Sequence, residues 1–443
     1  MLYFWAAFIA ALDHIFIRRR IHTMRYAGRM KRLRILPALA FLLALTTVWP
    51  LCTSAAADES KYIYHIVSLG DSITAGFEPE MITNSSLVPY GFTDRLKEQG
   101  FFHGRTELAN YGILGLKSDG LKRYVAAIQE GSKTTPENIQ SGLPDPRMAD
   151  IASGIPKAKA DLKAADVITI TIGGNDVQPI MEEAAKLPDA DLEAKVKSML
   201  DAYTANLKSV LNDLRVLNPD ALIVVADQYQ PVPEIAGAMG YAKLGKAAKA
   251  FTAAIDAVVE ERQGDHGLLK VAHVAEVFVG HELAYTHILD KDIHPKQAGY
   301  EAMAKVFTQV IFGDYRETEA SVGQAPISIV VNGHELKTVN KPVLKNGQTF
   351  IAIGDILQAI GATSKWDSKK AAATITYGTR KVVIAIGAKT IQVDGAAVAT
   401  AAPAFLNKVG KESKTYVPLA LLAKGLGLDV QYSTKLKTAF INP

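Results

Sequence analysis

Cysteine is almost missing from this chain: Cys52 is the single one in 443 residues. It lies within a leader-like N-terminal segment, so residues 58–443 contain none. That excludes disulfides, thiolate nucleophiles, zinc–thiolate centres and thiol redox switches there. Basic charge is also scarce once its location is considered. The formal net charge is +4, but residues 1–57 hold eight Arg and Lys against one acid, Asp13. That segment therefore carries +7, which leaves −3 for the remainder, and no nucleic-acid partner is expected. The apolar run at 35–49 is shorter than the ~20 residues a membrane span needs, which disfavours a retained anchor.

The N-terminal segment has the parts of an export signal. Met30-Lys31-Arg32-Leu33-Arg34 is a positive region, 35–49 is apolar, and Ala55-Ala56-Ala57 precedes polar Asp58-Glu59-Ser60. A secretory signal peptide cut after Ala57 is expected, and with it a secreted or cell-surface location. A second apolar stretch at 2–12, followed by Arg18-Arg19-Arg20, makes Met24 or Met30 the expected translation start. Leu51 before Cys52 is too large for lipoprotein-type cleavage, so no lipid anchor is expected.

A length of 443 residues exceeds one ordinary core, and the composition is that of a globular protein. Between 62 and 312, apolar strand-like runs (63–69, 167–172, 221–226, 268–274, with a short one within 111–116) alternate with helical patterns. The helical patterns cover 92–99, 118–129, 156–164, 191–216, 242–262 and 300–312. Continuous apolar strands separated by helices predict a parallel sheet covered on both faces, a three-layer α/β domain over residues 58–312. Residues 313–326 are polar and mixed and are expected to be a linker.

Residues 327–443 are built from two similar copies. Thr349-Phe350-Ile351-Ala352-Ile353 matches Thr415-Tyr416-Val417-Pro418-Leu419 at an offset of 66 residues, and Trp366 matches Tyr432 at the same offset. Upstream, Val331-Asn332-Gly333 pairs with Val393-Asp394-Gly395 at an offset of 62. Each copy predicts a hairpin at Asn-Gly or Asp-Gly, then a strand, a short helix and a strand. This is a smaller, β-rich α+β domain. It resembles the copper amine oxidase N-terminal-like domain, which occurs on secreted and cell-surface bacterial proteins. The resemblance implies no copper, and no ligand cluster is visible; His334 reads as a surface residue beside a turn. A cell-wall or glycan contact through this domain is a candidate role.

Four polar blocks carry the chemistry. They are Gly70-Asp71-Ser72-Ile73-Thr74, Asn110-Tyr111-Gly112-Ile113-Leu114-Gly115, Gly173-Gly174-Asn175-Asp176 and Asp292-Ile293-His294-Pro295. A serine after the first strand lies where an open α/β sheet exposes its ligand crevice. Serine needs a base to take its proton, and His294 is available. A tetrahedral intermediate develops an oxyanion, for which the Ser72 and Gly115 N–H groups and the Asn175 amide are candidate donors. Each block alone is an ordinary turn or helix start; the four together, each at a strand end or helix start, point to acyl transfer.

The combination resembles the SGNH hydrolase family, also called GDSL esterases and lipases, over about residues 62–312. The resemblance implies a flavodoxin-like α/β/α sandwich, Ser72 as nucleophile, His294 as base, and Ser72, Gly115 and Asn175 as the oxyanion hole. It implies no cofactor and no metal. The family commonly places an aspartate three residues before the histidine, and here that position is Lys291. Asp292 is the expected substitute, because residues two apart in an extended segment point the same way. Asp290 is the alternative, and a Ser–His dyad is the third possibility.

Other motifs are weaker. His281-Glu282 opens like a zinc-protease signature, but Tyr285 stands where the next histidine is required and His287 comes too late. Asp176 is expected to hold its loop, and His65 to sit in the core. His103, His266 and His273 have no partner visible in the sequence. Asn84-Ser85-Ser86 is a formal glycosylation sequon with no indication of use. The segment 77–90 is expected to form a loop beside the crevice and help select the acyl group. The expected activity is hydrolysis of an acyl ester on carbohydrate, lipid or a small molecule. The rival is a non-catalytic surface protein that uses the hydrolase fold as a glycan-binding scaffold.

Overall fold

Runs of β-branched and aliphatic residues build β3 (Val167–Thr171) and β4 (Leu222–Ala226), buried on both faces; β1 (Ile63–Gly70) is buried over its second half, and β5 (Leu269–Ala272) carries an exposed Lys270. With β2 (Arg105–Gly112) they form one five-stranded sheet in the order β2-β1-β3-β4-β5. Every pairing in it is parallel. The computed structural model describes residues 62–442 apart from 85, 185 and 401. The expected leader (1–57), with Cys52, Met24 and Met30, and Ser85 of the sequon lie outside the described residues. Among the described residues no helix is long and apolar enough to cross a membrane.

Successive strand residues face opposite sides, and both sides are covered. Ile66, Val224 and Ala226 pack with Phe92 and Leu96 of α1 (Phe92–Gly100) and with Tyr300 and Phe307 of α7 (Gln297–Phe312). Phe92 and Phe307 stack at 4.6 Å. Val67, Leu69, Ile170 and Val225 face the other layer. That layer comprises α2 (Ser118–Glu130), α3 (Ile155–Ala164), α5 (Asp189–Leu217) and α6 (Ala238–Glu260). A shorter helix, α4 (Gly174–Glu183), follows β3 directly. The domain is therefore a three-layer α/β/α sandwich. The short strand expected within 111–116 lies earlier, at Arg105–Gly112. β2 is the sheet edge, and its half-exposed, polar sequence lacks the continuous apolar run of its neighbours.

The C-terminal part is β-rich, with several antiparallel sheets. Asn332-Gly333 turns β6 (Ser328–Val331) into β7 (His334–Glu335), and Asp394-Gly395 turns β13 (Thr390–Val393) into β14 (Ala396–Ala399). All four turn residues have positive φ, as a tight two-residue hairpin requires. Each copy then runs strand–helix–strand. The first has β9 (Gln348–Ala352), α8 (Ile353–Ile360) and β10 (Thr363–Asp367). The second has β16 (Glu412–Pro418), α9 (Leu419–Gly425) and β17 (Asp429–Ser433). The copies interleave: β9 pairs with β16, and the last strand, β18 (Thr438–Asn442), runs parallel beside β6.

The two parts are joined by packing as well as by chain. Phe101 and Phe102, at the end of α1, bury against Val330 and Phe440. Thr106 exchanges two hydrogen bonds with the Gln431 amide, and Arg105 pairs with Asp429 at 3.0 Å. Within the segment 313–326, Thr318 and Ala320 are buried, and the Thr318 hydroxyl bonds that of Thr438 at 2.9 Å.

Candidate active site

The carboxyl ends of β1, β2 and β3 meet where strand order reverses around β1, the place an open α/β sheet offers for a ligand. Gly70 ends β1 with φ +142, and a Cβ there would lie 1.9 Å from the Thr171 carbonyl. Only glycine lets the two strand ends approach this closely. The turn after it is fixed by a buried network. Asp71 Oδ1 accepts hydrogen bonds from the Ile73 N–H and the Thr171 hydroxyl, and the Thr74 and Thr171 hydroxyls bond at 2.6 Å. Burial pushes the Asp71 carboxyl up to about 7, although the Ile73 N–H, His294 and the Thr171 hydroxyl oppose that rise. Ser72 sits above this network, largely buried.

The fourth block arrives from 222 residues along the chain. His294 Nε2 lies 2.8 Å from Ser72 Oγ. His294 Nδ1 lies 2.7 Å from Asp292 Oδ1, and the same oxygen accepts the His294 backbone N–H at 2.8 Å. Burial raises the Asp292 carboxyl, but the hydrogen bonds from the His294 ring and backbone outweigh it and hold the group below its ordinary value. Lys291, at the position where the family resemblance implies an acid, adopts a left-handed φ of +61 and ends a short 3-10 turn. That reversal aims Asp292 at the ring. Asp290, the alternative acid, lies beside His287 instead. Phe77 packs edge-on against His294 at 4.7 Å, and the Tyr229 hydroxyl donates to the Ile293 carbonyl.

The donor side is assembled by two loops tied to each other. Asn175, in the first turn of α4, donates one Nδ2 hydrogen to the Leu116 carbonyl at 2.9 Å. An amide nitrogen has two hydrogens, so one is left for a ligand. Gly115 adopts φ +77, and its carbonyl accepts from Gln140. Among the described residues neither the Ser72 nor the Gly115 N–H donates a hydrogen bond within the protein. Asp176 holds the N-terminus of α2, accepting from the Ser118 N–H at 3.0 Å and its hydroxyl at 2.6 Å.

An open cleft of about 340 Å³ lies over Ser72, lined by Asn175, Met181, Tyr229, Lys291 and His294. A second recess, of about 490 Å³, is lined by Phe77, Met81, Leu87, Leu114 and Pro144. A larger groove of about 610 Å³ between α5 and α6 contains no nucleophile–base pair; chemistry and not size marks the site. Sequence reasoning missed Thr171 and Tyr229, and placed Phe77 beside the crevice without its contact to His294; these contacts form only in the fold. It also found no partner for His103 and His273. His103 stacks on Phe312 at 4.4 Å, and His273 lies 3.4 Å from Asp227 and 3.7 Å from Asp256.

A model of the GDSL-like lipase/acylhydrolase family matches residues 68–302, and a model of the copper amine oxidase N-terminal domain matches 330–441. An uncharacterized Bacillus subtilis (strain 168) protein, YpmR, is 24% identical over 294 residues, covering 63% of this chain and 96% of its own. Among solved structures, a lipase from a goat rumen metagenome is 22% identical, covering 57% of this chain and all of the other, with a TM-score of 0.40. Phospholipase A1 from Streptomyces albidoflavus NA297 is 17% identical, covering 57% and 99%, with a TM-score of 0.37.

Proposed function

Because the chain belongs to the GDSL-like lipase/acylhydrolase family, we propose that it hydrolyses carboxylic esters through an acyl-enzyme on Ser72. The family fold supports acyl-ester hydrolysis in general, and the observation that carries the finer reading is the unbroken chain Ser72–His294–Asp292 at 2.8 and 2.7 Å. With Nδ1–H donated to the ionised Asp292, Nε2 of His294 is the free base facing the Ser72 hydroxyl. Ser72 Oγ attacks the ester carbonyl as its proton passes to Nε2. The C=O π electrons move to oxygen, and the resulting anion meets the Ser72 and Gly115 N–H groups and the second Asn175 hydrogen. Collapse expels the alkoxide, which takes the proton from His294. Water then attacks the acyl-enzyme with His294 again as base, and the carboxylic acid leaves with Ser72 restored.

The substrate reading is an ester of a carbohydrate, a lipid or a small alcohol, acted on outside the cytoplasm. The leader-like composition of residues 1–57 and the C-terminal domain resemblance support that location. The apolar recess at Phe77, Met81 and Leu87 supports acyl selection by the 77–90 loop. The test is a panel of p-nitrophenyl esters of increasing chain length beside acetylated glycans. Covalent labelling by a fluorophosphonate should map to Ser72. Turnover of none of the panel, with no label on Ser72, removes the proposal.

A further inference from the structure

In the sequence, His287 stands at the wrong spacing for a zinc site with His281 and Glu282. The fold gives it other neighbours. The loop leaving Ser72 carries Glu78 and Glu80 against its imidazole, from more than 200 residues away. His287 Nε2 is 3.6 Å from Glu78 Oε1. Nδ1 is 3.9 Å from Glu80 Oε1 and 3.7 Å from Asp290 Oδ2. One ligand-type atom from each of Glu78, Glu80 and His287 lies within 4.8 Å of the other two.

Two observations separate this group from an ordinary acidic cluster. His287 is only 7% exposed, and its Nε2 is enclosed without a hydrogen-bond partner among the described residues. Leaving a buried polar atom unpaired is costly, so its retention there points to a bound group. The Glu78 carboxylate is also oriented in advance. Its Oε2 accepts from Gln297 Nε2 at 2.6 Å, and Gln297 Oε1 accepts from Arg95 at 2.8 Å. That leaves Oε1 facing Nε2 across a gap too long for a hydrogen bond. The gap suits two ligands each about 2.1 Å from a shared ion. Charge agrees: three carboxylates face one imidazole, and among the described residues no lysine or arginine forms an ion pair with them.

We propose that Glu78, Glu80 and His287 bind one divalent transition-metal cation of the zinc type. One imidazole nitrogen of His287 and one oxygen from each glutamate are the protein ligands, and water completes the coordination. A mixed imidazole–carboxylate set favours zinc over magnesium or calcium, which prefer oxygen alone. Asp290, 3.7 Å from Nδ1, stands beside the site as an outer carboxylate. The ion ties the 77–90 loop to the segment bearing Asp292 and His294. The His287 N–H donates to the His294 carbonyl at 3.0 Å, and its own carbonyl accepts the Asp292 N–H at 3.2 Å. No step of ester cleavage passes through it, and the proposal stands independently of the esterase reading.

The test is titration of the chelator-treated full chain with zinc chloride, followed by calorimetry and thermal melting, with calcium chloride in parallel. One zinc per chain and a raised melting temperature are expected, with no response to calcium at the same concentration. His287→Gln should abolish binding. Glu80→Gln, at an exposed carboxylate, should keep the fold and weaken binding about tenfold or more. Should His287→Gln fail to fold, Glu78→Gln and Glu80→Gln decide between them. No uptake by the wild type at micromolar zinc overturns the site, as does equal uptake by the wild type and both glutamine variants. The cluster would then be an ion network without a metal.

Discussion

Asp292 grips His294 twice with one oxygen, through the ring Nδ1 at 2.7 Å and the backbone N–H at 2.8 Å. In the proposed mechanism that carboxylate fixes both the tautomer and the position of the base. Asp292→Asn should lower kcat by about 10³–10⁴-fold, as loss of an orienting triad acid does. Asp290→Asn, at His287, should leave kcat within a few-fold of wild type. Steady-state kinetics on one soluble ester checks both; near-normal turnover of Asp292→Asn would instead make the machinery a dyad.

Asn175 is anchored through Leu116 with one amide hydrogen, so its other hydrogen is the one the proposed oxyanion hole uses. Asn175→Ala should reduce kcat by about 10²–10³-fold with little change in KM, since the donor acts on charge present only in the transition state. A rise in KM alone would reassign the residue to substrate binding.

Asp71 makes stability depend on pH. Its folded carboxyl titrates near 7, against an ordinary value of 3.8. The folded state therefore holds a proton that the unfolded chain releases, and stability falls as pH rises from about 4 to 7. At about 1.36 kcal/mol per unit the loss is on the order of 4 kcal/mol at most. Asp71→Asn keeps the acceptor for Ile73 and Thr171 and should flatten that slope. Urea unfolding at pH 4.5 and 7.5 measures it; parallel slopes in both proteins would contradict the burial argument.

Phe440 packs between Phe101 and Phe102 with ring centroids 5.2 and 5.0 Å away. Phe440→Ala in the full chain should cost about 3–5 kcal/mol and uncouple the two parts. Calorimetry would then resolve two transitions where the wild type gives one. A single unshifted transition would show that the contact carries no coupling.

The candidate site was legible as four blocks because each is local: a turn after a strand, or a segment before a helix, announces itself within a few residues. The carboxylate partner of His294 was harder, because the left-handed turn at Lys291 beside Asp292 leaves no trace in composition. β2 was misplaced because an edge strand, half exposed, does not need the apolar run that identifies β1, β3 and β4. The burial of Thr318 and Ala320 leaves no local sign for a related reason, since Thr318 bonds Thr438, a residue 120 positions later in the chain. Contacts such as His287 with Glu78, or His273 with Asp227, join distant segments and exist only once the sheet and its loops are in place.

The most direct measurement is p-nitrophenyl acetate turnover by the protein beside its Ser72→Ala variant, both verified as folded by circular dichroism. Ser72 as nucleophile requires the variant to lose at least about 10³-fold in kcat/KM. Equal turnover by the two proteins would contradict the acyl-enzyme at Ser72.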